Sequence, residues 1–260
     1  MPRIALLVVL ASLTSCVLRH DPDVLVTPQR PTVSSDTQTA AVGTFELEAG
    51  VSLDPGDAEI LTTTLKHGLD ERTELFLGWI PYGRIDLPGD DGDGVGDAVF
   101  GMRRRVWERD DTAAAFQMAT KIPTGDEDEG LSTGEIDFLL AGIVSHDLPG
   151  GPSLVGYYEL GVIGEPRDAD TDLQHLFAVA ASESLRSDLV VFGELSKLHA
   201  AFGEDPLQGL VGIAKQARPG LVYDAAVSVG LNEDAPDFVL LLGLSTNIGR
   251  TSSRAQRPGG

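Results

Sequence analysis

Apolar and polar residues alternate with a period of two over most of the chain after residue 43. In the first run, Phe45, Leu47 and Ala49 alternate with Glu46 and Glu48. This period predicts β-strands whose two faces meet different surroundings. Twelve such runs occur, with predicted spans of 44–53, 58–67, 72–80, 96–107, 112–122, 135–145, 153–163, 173–183, 188–199, 207–215, 220–230 and 237–248.

The length of these runs favours strands that cross a membrane. A tilted strand needs ~9–11 residues to cross a bilayer, whereas strands of soluble proteins average about 5–6. Short connections such as 68–71 and 108–111 alternate with longer ones such as 81–95 and 123–134, as in transmembrane barrels. We therefore predict an all-β fold over residues 44–249, an antiparallel up-and-down transmembrane β-barrel of about 12 strands in the cell outer membrane, with both termini periplasmic.

The N-terminus carries the pattern of an export signal. Arg3 precedes an apolar run from Ile4 to Leu13, which is too short to span a bilayer as a helix. The following Leu13-Thr14-Ser15-Cys16 resembles the bacterial lipobox. That resemblance implies a lipoprotein-type signal peptide over 1–15 and acylation of Cys16, which would attach the protein to outer-membrane lipid. The alternative is an ordinary signal peptide with a chance cysteine.

Two segments lack the strand pattern. Residues 16–43 are rich in Pro, Thr, Ser and Val without a sustained period, and we predict a lipidated N-terminus followed by an extended periplasmic tether. Residues 250–260 form a polar C-terminal tail. Cys16 is the only cysteine, so no disulfide can form within one chain.

Charge narrows the range of partners. The chain has 40 acidic against 19 basic residues and a net charge of -21, so nucleic acid is not an expected partner. On the side of the longer loops acidic residues far outnumber basic ones, which predicts one acidic rim that attracts divalent cations weakly. Asp91, Asp93 and Asp97 lie in a glycine-rich turn and are weak metal candidates. The competing interpretation is a flexible acidic loop that enters a strand, and no cofactor is expected.

The alternation also predicts which charged side chains face the inside of the barrel. They are Glu46, Glu48, Lys66, Glu74, Arg103, Arg105, Lys121, Glu159, Glu194 and Asp224. Such charges could line a polar conduit and set its selectivity. They could equally pair with one another and fill a small barrel, since twelve strands lie between filled and open cases.

No constellation of residues predicts an enzyme. Gly130-Leu131-Ser132-Thr133-Gly134 matches the nucleophile-elbow pattern. That motif requires a strand before it and a helix after it, whereas acidic residues precede it here and a predicted strand follows. We interpret it as a chance match.

Several segments, in order and spacing, resemble the outer-membrane transporter family named for the MetA pathway of phenol meta-degradation. The segments are 44–50 (TFELEAG), 65–75 (LKHGLDERTEL), 92–97 (GDGVGD), 101–107 (GMRRRVW), 121–125 (KIPTG) and 230–237 (GLNEDAPD). The resemblance covers residues 40–248 and implies a barrel that passes small, often apolar molecules. It implies no catalytic residues.

Two functional hypotheses follow from the sequence. The first is an outer-membrane β-barrel lipoprotein that acts as a channel or transporter for small, including hydrophobic, molecules. The alternative is a lipid-anchored soluble β-sandwich or barrel with a structural or binding role in the periplasm. Neither hypothesis fixes the solute, the oligomeric state or whether the lumen is open.

Overall fold

The structure is a computed structural model that describes residues 18–19, 24–55, 58–87, 90–125, 127, 129–164 and 171–251. The predicted signal peptide, Cys16 and residues 252–260 lie outside these ranges. The strands are β1 (Leu18–Arg19), β2 (Thr44–Asp54), β3 (Ala58–Asp70), β4 (Thr73–Leu87), β5 (Asp90–Gly94), β6 (Ala98–Arg109), β7 (Thr112–Ile122), β8 (Asp137–Asp147), β9 (Ser153–Gly164), β10 (Thr171–Arg186), β11 (Leu189–His199), β12 (Leu207–Arg218), β13 (Leu221–Gly230) and β14 (Phe238–Thr251). Within the described ranges, no helix is both long and apolar enough to cross a membrane.

Twelve of these strands form a closed antiparallel barrel. From β2 onward each barrel strand pairs with the next one in the chain, with β4 pairing directly with β6. The last strand, β14, returns to pair with β2, and Gly243 lies opposite Gly50 across this seam. Closure leaves no unpaired edge in the wall. The predicted fold and strand number are confirmed.

The two remaining strands are short additions to the barrel. β5 pairs with the far end of β4, so that Ile85 lies opposite Gly92 and the hairpin extends beyond the wall. β1 pairs with the last two residues of β14, Arg250 and Thr251. The sequence prediction ended the third run at residue 80 and placed 81–95 in a loop. Residues 81–87 instead continue β4, because β5 satisfies their backbone groups.

The outer and inner faces of the wall differ in polarity. Leu77, Val227 and Leu242 point outward and are 46, 40 and 41 % exposed. Buried polar side chains lie on the opposite face, with Glu46 and Glu74 fully covered. A soluble barrel would bury apolar side chains and expose polar ones. This inversion is the pattern of a barrel surrounded by lipid.

Part of the inner wall is apolar. Ala115, Ala141, Ile143, Tyr157 and Ala178 form a buried cluster on β7 to β10. Most of the charged interior residues belong to the other side of the barrel, on β2, β3, β4, β6, β11 and β13. The interior therefore has one charged and one apolar wall.

Candidate functional site: a lumen filled by residues 24–43

The charged wall is built from cross-strand ion pairs. Glu46 and Glu48 on β2 face Lys66 on β3, with Nζ to carboxylate distances of 3.0 and 2.7 Å. The Lys66 side chain is 2 % exposed. Strand alternation places Glu46 and Glu48 on one face, and the β2–β3 register sets Glu46 opposite Lys66. Burial of these charges is tolerated because each has an opposite partner and hydrogen bonds.

A second group continues the wall on β4, β6 and β7. Glu74 pairs with Arg103 at 3.3 Å, and the Arg103 guanidinium also donates to Gln117 at 3.1 and 2.8 Å. Arg105 donates to the Glu71 carbonyl at 2.9 Å. On the apolar wall, Tyr157 donates its hydroxyl proton to Glu159 at 2.6 Å. Charges on the inside thus pair locally wherever a cation is available.

The structure places all ten predicted interior residues on the inner face. Seven are buried, and three are partly buried. The partly buried residues are Arg105, Lys121 and Glu159. Arg104, between two inward arginines, points outward and lies 3.6 Å from Asp70.

The lumen is occupied by residues 24–43, which we call the lumen segment. Its backbone amides donate to carboxylates from several strands. Thr27 donates to Glu46 at 3.1 Å and Gln29 to Glu48 at 2.9 Å. Farther along, Val33 and Ser34 both donate to Glu194 on β11 at 2.9 Å. Ala40 donates to Glu74 on β4 at 2.7 Å. A segment that contacts the inner faces of β2, β4 and β11 must lie inside the barrel.

Arg30 is the residue of the lumen segment with the most elaborate surroundings. Its guanidinium lies 3.4 Å from Asp224 and donates to the Thr62 hydroxyl at 3.2 Å and the Leu242 carbonyl at 3.1 Å. The floor of the niche consists of the glycine pair Gly50 and Gly243. A Cβ at Gly50 would lie 1.9 Å from the guanidinium carbon, and one at Gly243 would lie 2.3 Å from Nε. Only glycines at these two positions leave room for the guanidinium group.

The lumen segment enters and leaves the barrel at the same rim. Arg19 in β1 and Thr44 at the start of β2 both lie opposite Arg250 at the end of β14. Between them the chain reaches mid-barrel at Gly50 and Gly243, crosses to Glu194 and returns past Glu74. The segment is therefore a re-entrant loop that starts from the short-turn rim.

The structure differs here from the predicted periplasmic tether. The described part of that prediction, residues 24–43, is folded into the lumen instead. The reason is that the amides of Val33 and Ser34 and the Arg30 side chain satisfy Glu194 and Asp224, for which the described part of the wall supplies no cation. The alternative in which interior charges pair with one another applies to the wall. The remaining carboxylates are paired by the lumen segment, which also fills the barrel.

A cavity remains between the lumen segment and the apolar side of the wall. Its volume is about 270 Å³. Arg30 and Thr32 line one side, and Val155, Val190 and Phe192 line the other. The cavity thus joins the Arg30 niche to an apolar surface.

The long-loop end has its own charged cluster. Lys121 on β7 lies 3.3 Å from Asp97 and 2.8 Å from Asp137. Asp97 also accepts the amides of Thr124 and Gly125, each at 3.1 Å. The carboxylate of Asp97 is therefore already occupied by one cation and two amides.

Two of the predicted metal candidates, Asp93 and Asp97, lie on different elements. Asp93 belongs to β5, whereas Asp97 lies beyond that strand and binds Lys121. Across the described residues, no group of three or more His, Cys, Asp or Glu side chains is arranged to hold a metal ion. The Asp91 side chain is outside the part of the chain that the structure describes. The turn expected from the sequence is the β4–β5 hairpin, and Asp97 lies outside it with its carboxylate already held by Lys121.

Ser132 in the chance nucleophile motif accepts a hydrogen bond from the Gly134 amide at 3.0 Å. It sits in the loop between β7 and β8, with no helix following it. The hydrogen bond within this local turn gives Ser132 a structural role.

The lumen segment is the feature that the sequence did not predict. It has no period, because its contacts are made by backbone amides and not by one face of side chains. A signal was nevertheless present. The predicted interior carried six carboxylates against four cations, and the surplus required a partner from elsewhere in the chain.

Comparison with other proteins identifies the family to which the chain belongs. The model of the family described as "MetA-pathway of phenol degradation" matches residues 30–248, and the chain belongs to that family. This confirms the resemblance found in the sequence. No protein sequence of curated function matches the chain.

Solved structures support the same fold. An outer membrane channel from Pseudomonas putida F1 matches with a TM-score of 0.64 at 13% identity, covering 84% of this chain and 100% of that one. The KdgM porin matches with a TM-score of 0.57 at 5% identity, covering 77% and 98%. The NanC porin matches with a TM-score of 0.56 at 9% identity, covering 78% and 98%. The chain is thus similar in fold to outer-membrane channels and porins.

Proposed function

We propose that this protein is an outer-membrane channel for small molecules whose own lumen segment closes it. One observation carries the proposal. A closed barrel with an apolar exterior and a charged interior is filled by a segment that enters and leaves at a single rim. Because the segment is not threaded through the barrel, it can withdraw without unfolding the wall. Withdrawal would open a path along the lumen.

The outer membrane is the proposed location, with the short-turn rim in the periplasm. Outer-membrane barrels place short turns on the periplasmic side and longer loops outside. Both chain ends of the lumen segment lie at the short-turn rim. Acylation of Cys16 would hold the start of the segment in the adjacent leaflet, since several acyl chains anchor a protein stably.

Small and partly apolar molecules are the proposed solutes. The family description refers to phenol degradation, and the cavity beside the lumen segment has an apolar side formed by Val155, Val190 and Phe192. The KdgM structure has been determined with disordered oligogalacturonate. Such an anionic sugar would meet the carboxylates of Glu194 and Asp224 here, so we do not propose it as a solute.

Fractionation tests the location. The wild-type protein should stay with outer membranes after a carbonate wash and migrate faster on gels when unboiled. Cys16→Ala should behave in the same way if the barrel itself spans the membrane. Release of a soluble, heat-insensitive protein by Cys16→Ala would contradict the proposal and favour the lipid-anchored soluble alternative.

A lysine scan of the outer face sharpens this test. Leu242→Lys places a charge at mid-barrel and should cost ~2–4 kcal/mol in a bilayer, reducing the yield of folded barrel in membranes. Leu185→Lys is the matched control, since Leu185 is 58 % exposed near the short-turn rim, where such a charge costs about 0–1 kcal/mol. Equal yields of both variants would contradict a lipid-facing surface.

Conductance tests the closing role. A variant in which a short glycine–serine linker replaces residues 27–40 should show a larger single-channel conductance in planar bilayers than wild type. Replacing these residues removes the contacts to Glu46, Glu48, Glu194 and Glu74. Equal conductance of the two proteins would show that the segment does not restrict the path.

A further inference from the structure

We propose that the Arg30 niche is a binding site for the planar cationic head of a small organic solute, and that Arg30 occupies it in the closed state. This inference rests on the proposed channel function. The ligand class is an amidinium or guanidinium group attached to a compact apolar body.

The niche is made by the wall and not by the lumen segment. Asp224 on β13, Thr62 on β3 and the Leu242 carbonyl on β14 supply the three acceptors. They belong to three different strands but converge on one guanidinium group. When the lumen segment withdraws, these acceptors stay in place because strand pairing fixes them.

The shape of the niche selects a flat group. Gly50 and Gly243 lie opposite each other across the β14–β2 seam, and an added Cβ at either would overlap the guanidinium. Planar groups with several N–H donors fit such a floor and bind carboxylates with charge-assisted hydrogen bonds. A rounded cation such as tetramethylammonium has no donors and is too thick.

The charge balance of an open lumen favours the same class. Glu46 and Glu48 keep Lys66, but Glu194 and Asp224 lose the partners that the lumen segment supplies. Rings of acidic side chains select cations in channels. Withdrawal of the segment would therefore turn a neutralised lumen into one that attracts cations.

The neighbouring cavity defines the rest of the ligand. It begins at Arg30 and is bounded on the far side by Val155, Val190 and Phe192. With the segment in place its volume is about 270 Å³, and withdrawal leaves the wall side in place, so an apolar body of at least the size of a single aromatic ring fits. A solute with its cationic head on Asp224 would place an apolar body in this cavity.

Chemical rescue tests the site on the full chain. In Arg30→Ala the niche is vacated while Gly50, Gly243 and Asp224 remain. Benzamidine should raise the temperature at which detergent-solubilised Arg30→Ala loses its fast-migrating gel form, since a ligand that binds only the folded state stabilises it. The neutral isostere benzamide should do so only at concentrations about tenfold higher or more, because it lacks the charge-assisted bonds. Wild type, whose niche is occupied, should show no such difference.

Two double variants locate the effect. The benzamidine response should be lost in Arg30→Ala/Asp224→Asn, which removes the carboxylate, and in Arg30→Ala/Gly50→Ala, which fills the floor. Arg30→Ala/Gly142→Ala is the control, since an added Cβ at Gly142 meets nothing within 4 Å. If Arg30→Ala does not assemble, Arg30→Ser carries the same comparison with a small polar side chain that leaves the niche open.

The result that overturns the inference is a benzamidine response that is no greater than that to benzamide, or one that survives both double variants. Conductance measurements distinguish a failure of the ligand site from a failure of the proposed channel function. If the variant lacking residues 27–40 conducts but the rescue fails, the ligand site is wrong and the channel stands. If it does not conduct but the rescue succeeds, the binding site stands and the channel function fails.

Discussion

The middle of the barrel and its long-loop end hold their charges in different ways. In the middle, the partners of Glu194 and Asp224 among the described residues belong to the lumen segment. At the long-loop end, Lys121, Asp97 and Asp137 pair with one another on neighbouring parts of the wall. The first arrangement depends on a segment outside the sheet, and the second depends on the wall itself. A change in the middle of the barrel should therefore alter the lumen, whereas a change at the long-loop end should alter the rim.

The largest expected effect comes from Lys66→Met. This change leaves Glu46 and Glu48 buried without their shared cation, and breaking a buried pair in this way costs about 3–5 kcal/mol. The free energy of unfolding, measured by urea titration in lipid vesicles, should fall by that amount. Lys121→Met is the matched change at the long-loop end. The Lys121 side chain is 15 % exposed, so its loss should cost less, ~1–3 kcal/mol, and equal losses would show that burial does not set the cost of losing a wall cation.

Gly243→Ala should have the next largest effect, on conductance more than on stability. The added Cβ would lie 2.3 Å from Arg30 Nε, and its three nearest atoms all belong to this flexible side chain, which it would push from its niche. Single-channel current should rise several-fold relative to wild type. Gly156→Ala, where an added Cβ meets nothing within 4 Å, should leave the current unchanged. A closed Gly243→Ala channel would mean that Arg30 does not hold the segment in place.

Asp137→Asn should have a smaller and purely local effect. It weakens the pairing with Lys121 at 2.8 Å and the acceptor for the Gly164 amide at 3.0 Å. Amide hydrogen exchange of the residues around Thr124 and Gly164 should accelerate, while the conductance of the wild type is retained. Loss of closure in this variant would show that the rim and the lumen segment act together.

The smallest expected effect is a pH dependence in the loop 200–206. A hydrogen bond from the His199 ring at 2.7 Å, followed by one from the Ala200 amide at 2.9 Å, holds the pKa of Asp205 below its usual range. A carboxyl with a lowered pKa in the folded state stabilises the loop above its ordinary pKa, and this contribution is lost as pH falls through the lowered value. Exchange protection of the Ala200 amide should therefore decline only in acid.

The control for this prediction is a neighbouring acidic residue. Asp205→Asn should reduce the protection at neutral pH, whereas Glu204→Gln, which changes the charge equally, should not. Protection that stays constant from neutral pH through strong acid would contradict the role of the Asp205 carboxylate.

Much of the wall could be predicted from the sequence. The alternation around Glu46, Glu74 and Asp224 placed their side chains inward, and the structure agrees, because in a strand the side-chain direction follows from position alone. Strand ends were less predictable. β4 continues to Leu87 because its backbone pairs with β5, and no periodicity in Gly92 or Gly94 indicates that pairing.

The contents of the lumen could not be predicted in the same way. The contact between Arg30 and Asp224 joins residues 194 positions apart. It depends on the β14–β2 seam, which brings Gly50 and Gly243 together. The contacts between an irregular segment and a closed wall form only in the assembled tertiary structure. The local pattern of apolar and polar residues therefore does not predict them.

The position of the seam has a consequence for how the protein is made. The first barrel strand, β2, pairs with β3 on one side but finds its second partner only when the last strand, β14, has been synthesised. Arg30 precedes β2 in the chain, and two of its acceptors, Asp224 and Leu242, lie in the last two strands, β13 and β14. Contacts over such distances along the chain form late. The lumen segment can therefore make these contacts only after the last strands are in place, so closure of the channel depends on prior closure of the wall.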